Sequence, residues 1–238
     1  LGVGGLENGL VNLVNEPRPG VRHAIVCLTT DGPLRARLAP GIDVVTIGKR
    51  PGKDVRAFAR LTRTLRAMRP RVVHSRNWPA FDAILAAGLA RVPIIVHGEH
   101  GRDITDPEGR SVKRNRLRRV VAPLVSRFVT VSRDLHRWLV EDVRIRATKV
   151  VTICNGVDTA RFAPGDSRAA RVALGLPATG VVVGTVGRLD PVKDQAGLLR
   201  AFDLVRRQHR DAVLVIAGDG PCRAELEALV PNLKLGDA

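Results

Sequence analysis

Short apolar runs rich in β-branched residues alternate with amphipathic stretches along the whole chain, and this alternation constrains the fold more than any other feature. The runs lie at residues 23–28, 42–47, 72–74, 94–97, 128–131, 150–153, 181–186 and 212–217, and each has strand length. Several, such as VVVGTV, are continuously apolar. A parallel strand covered on both faces requires that pattern. Helices are expected between them. Residues 54–69 carry Val55, Phe58, Leu61, Leu65 and Met68 at helical spacing, with Arg56, Arg60, Arg63 and Arg66 on the other face and Pro70 as the stop. Residues 79–89 are small and apolar, which suits close packing on a sheet. Ser132 caps a helix through Leu135, Trp138 and Leu139. Pro191, following Asp190, opens a helix reaching about Gln208. Repeated strand–helix–strand units predict an α/β fold with parallel sheets.

A seam runs through residues 154–180, where Asn155-Gly156, Ala163-Pro164-Gly165 and the Pro177–Gly180 stretch break regular structure. Two domains are expected, residues 1–160 and 161–238. Six strand candidates precede the seam and two follow it, whereas a doubly wound domain needs about five or six. The glycine-rich opening Leu1-Gly2-Val3-Gly4-Gly5 leads into a helix at residues 6–16 with no strand before it. The first domain is therefore expected to lack its first strand and the second to be incomplete.

Lys plus Arg number 39 against 23 Asp plus Glu, a net charge of +16. Such a surface attracts phosphates, nucleic acid or an acidic membrane face, although a bias toward Arg, Ala and Val also accounts for it. Aromatic residues are 3% and Tyr is absent, so the stacking platforms of nucleic-acid modules are missing. No run of 18 apolar residues is free of charge, so no spanning helix is expected. Cys27, Cys154 and Cys222 stand far apart without CxxC spacing. They read as buried thiols in a reducing compartment, the alternative being one disulfide and a stray thiol. No zinc spacing appears, and no metal or other cofactor is expected.

Three glycine turns carry candidate chemistry. Gly2-x-Gly4-Gly5-x-Glu7 opens a helix, whose N-terminal amides suit an anion or are simply a turn. Gly187-Arg188-Leu189-Asp190-Pro191-x-Lys193 follows VVVGTV, placing Arg188 and Lys193 at the carboxyl edge of a parallel sheet. A forked guanidinium and a point-charge ammonium suit a diphosphate. Gly218-Asp219-Gly220-Pro221 follows LVIA as another strand-to-helix turn. The basic segment RSVKRNRLRR, with six cations at residues 110–119, precedes Val120, Val121, Leu124 and Val125. It reads as a solvated helix face or as a surface for anionic headgroups.

In combination, GVGGLE, HGEHGRD, CNGVDTARF, VGRLDPVKD and LVIAGDGPCRAELE resemble family 4 of the retaining glycosyltransferases over nearly the whole chain. The segment HGEHGRD and the order of motifs are most similar to the exopolysaccharide sugar transferases associated with PEP-CTERM systems. The resemblance implies the GT-B fold, two Rossmann-like domains with parallel sheets. It implies a cytoplasmic enzyme, peripheral on the inner face of the cell membrane, that moves a hexose from a nucleotide sugar to a glycan or lipid-linked acceptor in exopolysaccharide synthesis, with retention. His100 matches the family's histidine near the transferred sugar, and His74 is a weaker candidate for the same cleft. Arg188, Lys193, Gly4 and Gly5 would meet the donor diphosphate, and Gly218 and Gly220 form the donor-domain glycine turn. Asn155, Gly156, Val157, Asp158 and Phe162 match the crossover between domains and are taken as structural. The family's later pair of glutamates, eight residues apart, has no counterpart here, since Glu225 and Glu227 are too close together. The chain is thus expected to be a fragment without transfer activity. The competing readings are a basic α/β protein that binds nucleic acid and a GT-B nucleotide-sugar epimerase, which fold alone does not separate.

Overall fold

The computed structural model describes residues 1–2, 4–103 and 105–236. The chain divides into two compact units, Leu1–Val157 and Asp158–Ala238. All paired strands in both are parallel.

In the first unit, helix α1 (Gly5–Asn15) precedes the two-stranded sheet of β1 (Ala24–Cys27) and β2 (Asp43–Thr46). Helix α2 (Val55–Met68) leads into a four-stranded sheet ordered β3 (Val72–Arg76), β4 (Ile94–Glu99), β5 (Arg127–Thr130) and β6 (Val150–Thr152). Helices α3 (Asp82–Leu89), α4 (Val112–Val121) and α5 (Arg133–Arg137) connect these strands, and α5 widens into a π-type turn over Trp138–Asp142. The core joins Leu61 and Leu65 of α2, Ile84, Ala86 and Ala87 of α3, Ile95, Phe128 and Leu139. Ala86 and Ala87 of α3 are fully buried, because small side chains let the helix come close to the sheet. Each large apolar side chain buried here contributes about 1.5–3 kcal/mol.

Helix α2 shows what sets its ends. The Asp54 carboxylate accepts from the Ala57 amide at 2.8 Å, a side-chain N-cap. Arg69 stops the helix in the left-handed region at φ 48°, just before Pro70. The buried stripe is Ala57, Leu61, Thr62 and Leu65. Val55, expected on that stripe, is exposed. Two residues are 200° of helical rotation, so position 55 points away from position 57.

In the second unit, α6 (Ser167–Ala173) is followed by β7 (Val182–Val186), α7 (Gln195–Gln208), β8 (Val213–Ala217) and α8 (Arg223–Asn232). Strands β7 and β8 form one sheet. Leu199 and Phe202 of α7 and Leu226 of α8 pack with Val183, Leu214 and Ile216. The expectation that VVVGTV is covered on both faces is not met, because Val186 is 89% exposed. The helices cover the face carrying Val183, while the face carrying Val186 is covered only in part: Val182 is half-buried, and Gly184 and Val186 are exposed. Nor does a helix begin at Pro191. Pro191–Lys193 make one 3-10 turn capped by Asp190, then Asp194 turns left-handed at φ 47° and caps α7 through the Gly197 amide. A second capping residue divides the expected helix, leaving Lys193 outside it.

The three cysteines are free thiols. Cys27 is buried as expected, but Cys222 is half-buried and Cys154 is exposed. Cys154 falls just beyond the end of β6, where the chain leaves the sheet.

Candidate active site

Parallel pairing brings the carboxyl ends of β3 and β4 to one edge, where ligands of α/β proteins gather. In register, Ser75 lies opposite His97 and Arg76 opposite Gly98. Side chains alternate between faces along a strand. Ser75, His97 and Glu99 therefore turn inward, and His74, Arg76 and Gly98 take the other face. A side chain on Gly98 would lie 2.9 Å from His100 Nε2 and 3.0 Å from His74 Nε2, so the two imidazoles converge over a bare backbone. His100 is held from both directions. Its amide donates to Asn77 Oδ1 at 2.6 Å, and the Asn77 amide donates to the Gly98 carbonyl at 2.7 Å. Asn77 reaches this double contact in a left-handed conformation, φ 54°. The Asn155 side chain lies near the His100 ring and favours its protonated form. His100 Nε2 is buried without a partner.

Burial, with Arg76 and the other two histidines nearby, pushes His74 down to about 4. Burial and Arg76 also lower His100, against the opposing pull of Glu99 and Asn155. Both rings are neutral near pH 7, so each offers one donor and one acceptor to a hydroxyl. Arg76 is itself lowered by burial while the Glu7 carboxylate supports its charge. It remains a cation at neutral pH.

The glycine opening reaches this same edge. Arg76 Nη1 donates to the Leu6 carbonyl at 3.4 Å in the first turn of α1. Gly4 is the N-cap, and its carbonyl accepts from the Asn8 amide at 2.9 Å. The Glu7 carboxylate folds back so that a Cβ on Gly4 would lie 2.5 Å from Oε2. The position an anion would take at this helix end is thus shared with an acidic side chain. Gly5 faces open space. Val3 lies outside the described residues.

Behind the histidines is a buried ionic cluster. Glu99 is 1% and Arg118 3% exposed. Arg118 Nε donates to Glu99 Oε1 at 2.7 Å, and His97 Nε2 lies 3.5 Å from the same oxygen. His97 Nδ1 shares a 2.8 Å hydrogen bond with Ser75 Oγ. The Arg118 guanidinium lies between two indoles, 5.1 Å from Trp78 and 4.8 Å from Trp138. Burial pushes the Glu99 carboxyl up, but His97 and Arg118 outweigh it and hold it below the usual range. Breaking such a buried pair by removing one partner costs about 3–5 kcal/mol. This corrects the reading of RSVKRNRLRR as a uniformly outward cationic face. Arg118 is buried, and Arg114 pairs with Asp103 at 3.2 Å and stacks on Trp78. Lys113, Arg116 and Arg119 stay exposed.

In the second unit, Arg188 and Lys193 share one loop at the carboxyl end of β7, and both are exposed. Asp190 organises the loop. It forms an ion pair with Arg188 at 3.2 Å and accepts from the Val192 amide at 3.3 Å. Gln195 Nε2 donates to the Arg188 carbonyl at 3.0 Å. Gly218 and Gly220 serve the neighbouring loop. A Cβ on Gly218 would come 1.9 Å from the Gly187 carbonyl oxygen, and one on Gly220 2.3 Å from that of Leu189. Bare backbone lets the two loops run side by side, joined by the Leu189 amide to the Asp219 carbonyl at 2.9 Å.

Sequence reasoning named His100, His74, Gly4, Gly5, Arg188, Lys193, Gly218 and Gly220 as candidates; it did not name Arg76, Asn77, Gly98, Glu99 or Arg118, which stand around His74 and His100 in the fold. The adjacent polar pair Arg76-Asn77 at a strand end was the available signal. Asn155, read as part of the crossover only, acts on the proton affinity of His100. No group of three His, Cys, Asp or Glu among the described residues is placed to hold a metal.

Residues 3–161 match the family described as Glycosyltransferase Family 4, and residues 166–238 match Glycosyl transferases group 1. The chain is 35% identical over 178 residues to D-inositol 3-phosphate glycosyltransferase of Mycobacterium leprae, covering 70% of this chain and 39% of the relative. It is 28% identical over 184 residues to UDP-Gal:alpha-D-GlcNAc-diphosphoundecaprenol alpha-1,3-galactosyltransferase of Escherichia coli, covering 74% of this chain and 47% of that protein. The chain therefore spans less than half the length of these relatives. Among solved structures it is similar to Anabaena HepE in complex with UDP and glucose, with TM-score 0.74 and 23% identity, over 98% of this chain and 64% of that one. That likeness shows the fold, α/β with parallel sheets of the GT-B class.

Proposed function

Because the chain belongs to glycosyltransferase family 4, we propose that its protein moves a sugar, with retention, from a nucleotide-sugar donor to a glycan or lipid-linked acceptor. The observation that carries this reading is the convergence of the His74 and His100 rings over Gly98, beside Arg76 and the N-terminus of α1. Neutral imidazoles in a partly buried niche suit sugar hydroxyls, which both donate and accept. His100, with its unpartnered Nε2, is assigned to the transferred sugar. Arg188 and Lys193 are assigned to the donor diphosphate. Fixed cations and amides would stabilise the charge that develops on the leaving diphosphate without a metal.

A role in exopolysaccharide synthesis rests on HGEHGRD and the order of motifs. The names of the two relatives point to phosphorylated or lipid-linked acceptors. A peripheral place on the inner membrane face rests on α4, whose outer side presents Val112 at 77% and Val120 at 66% exposure with Lys113 and Arg116 between them.

Transfer from a panel of nucleotide sugars, assayed on the whole protein, tests the reading. His100→Ala and the double change Arg188→Ala/Lys193→Ala are each expected to lower turnover by about 10²–10³. Wild-type turnover in the double variant would remove the diphosphate assignment. A folded protein that neither transfers nor hydrolyses any nucleotide sugar would remove the function.

A further inference from the structure

We propose that Arg118 and Glu99 are positioning residues for His100, fixing both ends of the hydrogen-bonded clamp that aims its ring. This assignment rests on the reading of His100 given above. Two contacts hold the backbone at His100, and Arg118 stands behind both. On one side, Glu99 immediately precedes His100, and its Oε1 takes the Arg118 Nε–H at 2.7 Å. On the other side, Asn77 accepts the His100 amide, and Trp78, the next residue, lies against the Arg118 guanidinium at 5.1 Å. One planar cation thus ties together the chain before His100 and the chain after its clamp.

The loop that leaves His100 is anchored on the same helix. Asn115 Nδ2 and Trp138 Nε1 both donate to the Gly109 carbonyl, at 2.9 and 3.0 Å. Gly109 stands at φ 68°, and a Cβ there would meet the Trp138 indole at 2.5 Å. Asn115 Oδ1 in turn accepts from Arg118 Nη1 at 3.4 Å. Helix α4 therefore holds this segment at its beginning, through Arg118, and at its end, through Asn115.

A lysine cannot replace Arg118 here. It lacks the flat face that two indoles enclose and the fork that reaches Glu99 and Asn115 together. Glu99→Gln keeps shape and one acceptor oxygen but removes the carboxylate charge that pairs with Arg118. Each change should loosen the clamp while leaving the remote core in place.

Native-state amide exchange on the 238-residue chain separates positioning from mere stability. The Ile47 amide, bonded to the Cys27 carbonyl at 2.9 Å within the same unit, serves as reference. In Arg118→Lys and in Glu99→Gln, the His100 amide is expected to exchange about tenfold or more faster, with Ile47 changing much less. The His100 ring, watched by NMR, should titrate nearer the ordinary range in Arg118→Lys as burial is relieved. Its surroundings are Arg76, His74, His97, Glu99 and Asn155. Unchanged His100 exchange in a folded variant, or equal acceleration at both amides, would overturn the assignment. If Arg118→Lys does not fold, Glu99→Gln alone decides by the same two amides. Because neither measurement uses sugar transfer, failure of the proposed function would leave these results readable.

Discussion

His74 and His100 pay for their convergence in proton affinity. His74 titrates at about 4 in the folded chain instead of the ordinary 6.5. Between those values the unfolded chain binds a proton that the folded chain refuses, so stability rises with pH across that window. The contribution is complete above about 6.5 and lost as pH falls to about 4. His100 adds to the same trend, since its proton affinity is also lowered. By its accessible surface His74 is nonetheless exposed, and screening by water makes the effect smaller than full burial would give. Urea unfolding from pH 7 to pH 4 is expected to show a falling midpoint, with a shallower fall in His74→Gln. Identical slopes in the two proteins would assign the trend to other groups. His74 was legible in the sequence because it ends an apolar run, and His100 through the resemblance of HGEHGRD to a family motif. Their meeting was not, because it depends on the register that sets Arg76 opposite Gly98.

The elements divide into those whose roles follow from local pattern and those whose roles follow from neighbours. Gly218 belongs to the second kind. Its own turn is ordinary, but the adjacent Gly187 carbonyl leaves no room for a Cβ. Gly218→Ala is expected to destabilise the second unit by about 1–3 kcal/mol in urea unfolding, the usual cost of forcing backbone apart. Gly184→Ala in β7, where nothing lies within 4 Å, serves as control and should change little. Equal effects would mean that the two loops yield freely. Helix α4 combines both kinds. Asn115, Arg118 and Val121 are buried, while Val112, Lys113, Arg116 and Val120 face out. Basic residues near an anionic bilayer contribute about 1 kcal/mol each. Lys113→Glu/Arg116→Glu should therefore weaken binding to vesicles containing anionic phospholipid by at least about tenfold, with little binding of either protein to neutral vesicles. Equal sedimentation of variant and wild type with anionic vesicles would remove the membrane role of this face.

For the whole molecule, the charge of +16 is a property of the sum and not of one site. Polyanions should bind, but through counterion release alone. RNA affinity is expected to fall steeply as salt rises from 50 to 200 mM and to show no sequence preference, as measured by a salt titration with several oligonucleotides. Preference for one oligonucleotide that survives high salt would restore the nucleic-acid reading. Among the described residues, no helix is long and apolar enough to cross a membrane. By itself, the sequence determined the eight strands, the parallel α/β arrangement and the cap at Ser132, each written in local pattern. It also exposed the strand-end histidines and the cationic loop after β7. Only the tertiary structure decided which of the six cations at residues 110–119 turns inward, that Asn155 lies near His100, and that Cys154 stays in solvent. A periodic pattern records how a side chain leaves its own backbone. What that side chain meets is set by residues distant in the chain, and for Arg118 these are Glu99, Trp78 and Trp138.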